Sequence, residues 1–206
     1  AYTAQILNLL LLTVYFGIVR GVLTKRDWFR FKRELKTIPS KMQSILDKRF
    51  GIKRLAGKYS HAKDFIFLGR GINYPSALEG ALKLKEISYI HATGHAAGEL
   101  KHGPLSLIQE GLPVVAIALK DDLYNKMVSN IQEVKSRGGT VIAIASQGDK
   151  NIKKIVDNTI YVPRTPWYLS PLIVALPLQL LAYYIAVERG CDVDKPRNLA
   201  KSVTVE

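Results

Sequence analysis

The pattern of hydrophobic and polar positions changes texture partway along the chain. Ile6 to Val22 is apolar almost throughout, with Asn8, Thr13 and Arg20 as its interruptions. A bilayer span needs about 20 apolar residues in a row, more than this run offers. A secretory leader needs a basic start, which Ala1 to Gln5 does not supply. The pattern therefore predicts a helix over 2–23, apolar nearly all round and buried between protein layers. Residues 26–36 read as a short amphipathic helix that stops before Pro39. A third helical stretch opens at Pro39-Ser40, with Met42, Ile45 and Leu46 on one face and Ile52 and Leu55 continuing it; Gly51 weakens its second half.

From Asp64 the spacing shifts to short apolar runs. Phe65 to Leu68, Pro113 to Leu119, Thr140 to Ala145 and Thr159 to Val162 predict four strands, each continuous rather than alternating. Helical patterns separate and follow them at Pro75 to Tyr89, Asp121 to Arg137 (ended by Gly138-Gly139) and Ser170 to Glu188. Continuous apolar strands alternating with helices mark a parallel sheet covered on both faces. The predicted fold class is α/β: a parallel sheet sandwiched between helices, with extra N-terminal helices.

Hydrophobic residues make up 48% of the 206, with 15 glycines and 9 prolines, which suits a packed core rather than a disordered chain. Cys191 is the one cysteine. It excludes an internal disulfide and a cysteine-rich zinc site, and makes a reducing cytoplasm the expected compartment. The net charge of +13 is compatible with nucleic acid, an anionic membrane or a phosphorylated small substrate, and charge alone does not choose among them. Much of it is local, running from Arg20 to Arg54, where it reads as a solvated helix face. No zinc-finger, RNP or basic-zipper pattern accompanies it, so no nucleic-acid partner is expected, and no membrane partner.

Glu79, Lys83 and Glu86 follow an i, i+4, i+7 spacing, which puts two carboxylates and an ammonium on one helix face. Most such stripes are solvated faces with i,i+4 pairs. This helix begins at a strand's carboxyl end, where open α/β sheets hold their ligands, and that position favours a site. Gly98 to Pro104 is dense in polar groups. His102 within it is either a structural histidine or a proton carrier, since imidazole exchanges protons near neutral pH. His91, His95 and His102 have no carboxylate-rich or cysteine partner, so no metal is expected. Gly69-Arg70-Gly71 lacks the longer fingerprint of a dinucleotide fold and reads as a tight strand-to-helix turn; no cofactor is expected. In the tail from Asp192 to Glu206, Pro196, Leu199, Val203 and Val205 are candidates to pin the segment to the body, while Arg197 and Lys201 offer cations.

These segments together resemble the glutamine–fructose-6-phosphate aminotransferase family over nearly the whole chain. The most specific stretches are Ala77 to Ala92, Ala97 to Pro104 (AGELKHGP), Val174 to Tyr183 (VALPLQLLAY) and Asp192 to Glu206. The family's isomerase half holds two SIS (sugar isomerase) domains, each a flavodoxin-like three-layer sandwich, and this chain resembles the second. The resemblance implies helices leading from a missing first SIS domain over 1–55, the second SIS domain over 56–189 and a catalytic tail over 190–206. It implies conversion of fructose-6-phosphate and glutamine-derived ammonia to glucosamine-6-phosphate, in a homodimer. The family's Ser/Thr-rich phosphate loop and the N-terminal cysteine of its glutaminase half have no counterpart here, so both are expected elsewhere in a longer parent.

By the same resemblance, Glu86 is the base that moves a proton between C1 and C2 of the sugar, and Lys201 forms a Schiff base at C2. His102 helps to open the ring from the neighbouring subunit, and Glu79, Lys83 and Arg197 assist proton relay or stabilise the site. An imine needs a neutral amine, whereas a free lysine titrates at about 10.4, so burial or a cation such as Arg197 would be needed to activate Lys201. Thr93-Gly94-His95 departs from many relatives, in a stretch that reads as a loop. The alternative reading is a sugar-phosphate-binding SIS regulatory module without catalysis. The four-residue set of Glu79, Lys83, Glu86 and Lys201 speaks against it, because a sensor does not need them. A plain structural dimer piece is a third reading, suggested by the apolar first helix.

Overall fold

Five strands form one parallel sheet in the order β2-β1-β3-β4-β5: β1 Asp64–Gly69, β2 His91–Ala96, β3 Pro113–Ala118, β4 Thr140–Ser146 and β5 Asn158–Val162. The structure, a computed structural model, describes residues 1–199. Four strands are the predicted apolar runs. The fifth, β2, pairs with β1 at the sheet edge, and Thr93-Gly94-His95 lies inside it rather than in a loop. Its sequence is small and polar because an edge strand needs little apolar surface; Ala92 is its one fully buried residue.

Among the described residues seven α-helices surround the sheet: α1 Tyr2–Val19, α2 Lys25–Leu35, α3 Ile38–Asp47, α4 Arg49–Tyr59, α5 Tyr74–Ser88, α6 Tyr124–Lys135 and α7 Ser170–Glu188. Thr24 starts α2 with a reciprocal cap, its side chain accepting from the Asp27 amide at 3.2 Å while Asp27 accepts from the Thr24 amide at 2.9 Å. The predicted third stretch is two helices, because the backbone opens at Lys48 (φ −97°, ψ 7°) and restarts at Arg49.

Successive strand residues point to opposite faces, so each run feeds two cores. Phe65, Phe67, Val115, Ile117, Ile142 and Ile144 pack with α4, α5 and α7. Ile66, Leu68, Val114, Ala116, Val141 and Ala143 pack with α6 and the 3-10 turn Ala97–His102. This is the three-layer sandwich that the sequence predicts.

The first helix departs from its expectation. Val14 is its one buried residue, and Leu9, Tyr15 and Phe16 are 59%, 60% and 55% exposed. Among the described residues α1 meets the body along Ile6, Leu7, Leu10 and Val14 and through the Tyr2 hydroxyl on Ser76, and its other face is left uncovered. Both α1 and the segment Trp167–Glu188 are long and apolar enough to cross a membrane by length and composition; the latter is 67% buried in the fold, as a core helix is.

The turn from β1 into α5 depends on two glycines. A Cβ on Gly69 would run into the backbone carbonyl of Asn73, and Gly71 has φ +51°. Gly69→Ala is expected to cost about 2 kcal/mol or more, since a backbone carbonyl cannot step aside. Gly57→Ala in α4, with open space around the site, is expected to stabilise by up to about 1 kcal/mol. Thermal denaturation of the pair checks this, and equal melting temperatures would contradict it.

Candidate functional site

The inner face of α5 is built from Ser76, Ala77, Gly80 and Ala81, so the helix lies close against the layer beneath it. A Cβ on Gly80 would stand 2.9 Å from both Phe67 and Leu178. Glu79, Lys83 and Glu86 sit on the flank of this helix, each half-buried. Lys83 Nζ donates to Glu86 Oε2 at 2.6 Å. Glu79 lies nearer the other end, beside Tyr2, whose hydroxyl meets Ser76 Oγ at 3.0 Å. Burial pushes the Tyr2 phenol up; the Ser76 bond opposes this and the Glu79 charge adds to it.

The three residues share one face, as expected, but their height along the sheet differs from the expectation. A helix after a parallel strand runs back along the sheet at about 1.5 Å per residue, which puts Glu86 roughly 18 Å from the start of α5. Only Glu79 is near the carboxyl edge of the strands. Lys83 and Glu86 stand toward the opposite edge, near the start of β1.

The tail arrives at that same edge. Arg189, just past α7, donates from Nε to the Ser88 carbonyl at 3.0 Å and from a terminal nitrogen to the Ser60 carbonyl at 2.8 Å. It thereby satisfies carbonyls at the ends of α5 and α4. Asp192 Oδ1 accepts the amides of Asp194 and Lys195 at 2.9 and 3.0 Å, which turns the chain. The Arg197 amide then donates to the Tyr89 hydroxyl at 2.9 Å, and its guanidinium stacks 4.1 Å from the centre of the Tyr89 ring. Tyr89 has φ +61°, a left-handed conformation that a non-glycine residue adopts at a cost of about 1 kcal/mol. Leu199, expected to pin the tail, is 54% exposed; the contact at its level of the chain is Arg197 on Tyr89. Lys201 lies outside the described residues.

His102 stands on the Ala97–His102 turn, its side chain 75% exposed and its Nε2 4.0 Å from Glu99 Oε2. That turn belongs to the α6 face, whereas α5 covers the opposite face. One copy of the chain therefore brings Glu79, Lys83, Glu86 and Arg197 to one side and leaves His102 on the other.

His95 and His91 have separate partners. His95 Nε2 meets Thr93 Oγ1 at 3.1 Å, with burial pushing its imidazole below the ordinary value, and His91 Nδ1 meets Asp64 Oδ1 at 2.9 Å. Among the described residues no group of three or more His, Cys, Asp or Glu side chains could hold a metal ion.

Tyr89 and Arg189 were not among the residues the sequence singles out. A basic residue just past a long helix is a legible signal for Arg189. Nothing in the sequence marks a left-handed tyrosine.

Comparison with known proteins matches residues 58–189 to the SIS domain family. The chain is 54% identical over 206 residues to the glutamine–fructose-6-phosphate aminotransferase (isomerizing) of Thermus thermophilus, and 51% identical to that of Caldanaerobacter subterraneus. In each case all of this chain aligns with 34% of the relative, so it spans about a third of those proteins. It also superposes on the C-terminal domain of glucosamine-fructose-6-phosphate aminotransferase from Francisella tularensis, with a TM-score of 0.88 and 38% identity, covering 94% of this chain and 55% of that one.

Tyr89→Phe keeps the ring beneath Arg197 and removes the bond to its amide. Hydrogen exchange at the Arg197 amide is expected to quicken about fivefold, the worth of one hydrogen bond, with the melting temperature nearly unchanged. An unchanged exchange rate would show that the tyrosine does not hold the tail.

Proposed function

This chain belongs to the SIS domain family, and on that premise we propose that it is the second SIS domain, with its tail, of a glutamine–fructose-6-phosphate aminotransferase. The reaction is conversion of fructose-6-phosphate and glutamine-derived ammonia to glucosamine-6-phosphate, a ketose-to-aldose isomerisation. The observation that carries this reading is the meeting of the tail with the end of α5 that bears Glu86. Tyr89, which Arg197 meets, stands three positions beyond Glu86, and Arg197 stands four residues before Lys201.

In this reading Glu86 is the base that moves the proton from C1 to C2. The Lys83 ammonium at 2.6 Å orients its carboxylate for that transfer. Lys201 forms the imine at C2, and the Arg197 cation favours its neutral amine. Glu79 belongs to the proton relay. Folding of the tail over the sugar excludes water and holds both reacting groups in place.

Residues 1–55 lead from a preceding SIS domain, 56–189 form the second and 190–206 the catalytic tail. The exposed apolar face of α1 is the surface on which that preceding domain packs, and the phosphate-holding loop and the glutaminase lie in the rest of the parent. The lone Cys191 suits the cytoplasm. Because His102 and Glu86 occupy opposite faces of one chain, each site in the proposed homodimer takes His102 from the partner copy.

Glu86→Gln in the full-length parent is expected to reduce glucosamine-6-phosphate formation by about a hundred- to ten-thousand-fold while glutamine hydrolysis persists. Wild-type synthesis would sink the assignment. A mixture of Glu86→Gln and His102→Ala proteins, each inactive alone, is expected to recover about one quarter of wild-type activity, because each mixed dimer holds one intact site. No recovery after subunit exchange would mean that His102 and Glu86 act within one copy.

A further inference from the structure

The sheet ends in an open edge at β5. That strand pairs with β4 on one side and, among the described residues, with no strand on the other. The Val162 carbonyl accepts the Gln147 amide at 2.8 Å, so Val162 turns its backbone toward β4. Alternate residues of a parallel strand face the same neighbour. Asn158, Ile160 and Val162 therefore face β4, and the N–H and C=O groups of Thr159 and Tyr161 point outward. No loop or helix backbone among the described residues bonds to them.

A groove of about 490 Å³ runs along this edge. Four consecutive residues, Asn158 to Tyr161, line it, although neighbours on a strand point to opposite faces. A space at the edge itself meets both sets. The facing wall comes from α3 and α4, where Ile45, Ile52 and Leu55 make it apolar. Asn158 donates to the Tyr59 hydroxyl at 2.6 Å and so ties the strand to α4. Gly51 keeps the wall open, since a Cβ there would meet nothing within 4 Å.

The charge along the groove has one sign. Lys48, Arg54 and Lys58 line it, and no carboxylate of the described residues does. Asp157, the acid just before β5, accepts from Lys135 Nζ and from the Val141 amide, each at 2.7 Å, and is turned toward β4. Cations beside an edge strand ordinarily discourage further pairing. Here they discourage a second copy of this chain, because a two-fold axis would set the three cations against themselves. A strand that carries carboxylates meets no such barrier.

We propose that the β5 edge is a docking site for an extended acidic segment of a partner protein. The segment adds one strand to the sheet. Its backbone pairs with Thr159 and Tyr161, an apolar side chain rests on Ile45, Ile52 and Leu55, and its carboxylates meet Lys48, Arg54 and Lys58. The site is independent of the residues assigned to catalysis: α5 covers β1 and β2, at the other end of the sheet. Helix α1, on which the preceding domain is proposed to pack, meets α5 through Tyr2 and Ser76 on that same far half. The occupant is for this reason assigned to a separate protein.

The probe is a fluorescently labelled peptide of alternating serine and glutamate with a central valine, titrated into the full-length parent and followed by anisotropy. Binding is expected to saturate. An N-methylated form of the peptide, whose pairing amides cannot donate, is expected to bind about tenfold more weakly or worse. Thr159→Pro removes one outward N–H, which an edge strand tolerates, and is expected to weaken the peptide about fivefold. Replacing Lys48, Arg54 and Lys58 together by glutamine is expected to weaken it about tenfold. Gly51→Gln, which fills the open wall, is expected to block it, while Lys25→Gln on α2 leaves it unchanged.

Absence of saturation overturns the site. Equal binding of the N-methylated peptide overturns it too, by showing adsorption to positive charge without strand pairing, and this comparison decides if Thr159→Pro does not fold. Undiminished binding in folded Gly51→Gln places the peptide elsewhere and also overturns it. Tighter binding of a nonspecific DNA duplex than of the peptide would make the cations a nucleic-acid surface instead.

Discussion

A parallel strand buried on both faces cannot turn straight back; the chain must cross over the sheet, and here it does so as a helix running from the carboxyl edge to the amino edge. The candidate site depends on that geometry after β1. The strand ends in Gly69 because the returning backbone at Asn73 leaves no room for a Cβ. The helix that follows has one end at the carboxyl ends of the strands and the other, bearing Lys83, Glu86 and then Tyr89, where the tail begins its course. Two chemically different places are thus separated by the length of a single helix, with no further scaffolding.

The small residues on the inner face of α5 serve the same geometry. Gly80 admits Phe67 and Leu178, and on the edge side a Cβ on Gly94 would stand 2.9 Å from the Leu78 backbone. Close approach lowers the flank of the helix into partial burial without enclosing it. The Lys83–Glu86 pair, with side chains 33% and 27% exposed, therefore adds under about 1 kcal/mol to stability. Its energetic contribution to folding is too small to explain the arrangement, which fits a pair held ready for proton transfer.

The apolar strands were legible because a strand covered on both sides has to be continuously apolar. The edge strand β2 was not, because His91 to Ala96 buries one residue fully and needs no such run. Helix α1 was legible as a helix, but its burial was not. An apolar surface announces that something covers it and says nothing about whether the cover is in the same chain. The shared face of Glu79, Lys83 and Glu86 followed from spacing alone. The separation of His102 from them did not, since which face of a sheet a turn joins is a property of topology. Arg197 stood out by resemblance, whereas Tyr89, which receives it, required the left-handed backbone to be seen.

That contact also bears on how the tail can work. The Arg197 amide bond and the guanidinium over a half-buried ring are worth about 1 kcal/mol each, and the left-handed Tyr89 returns part of this. A net of about 1 kcal/mol favours the docked tail by roughly fivefold over the released one. Arg189 anchors the root of the tail far more firmly, through two backbone carbonyls on different helices. A segment fixed at its root and weakly held beyond it moves about a defined pivot. The role proposed for the tail, covering a sugar and letting the product leave, would use that combination, because a tail docked by many kilocalories would make release the slow step.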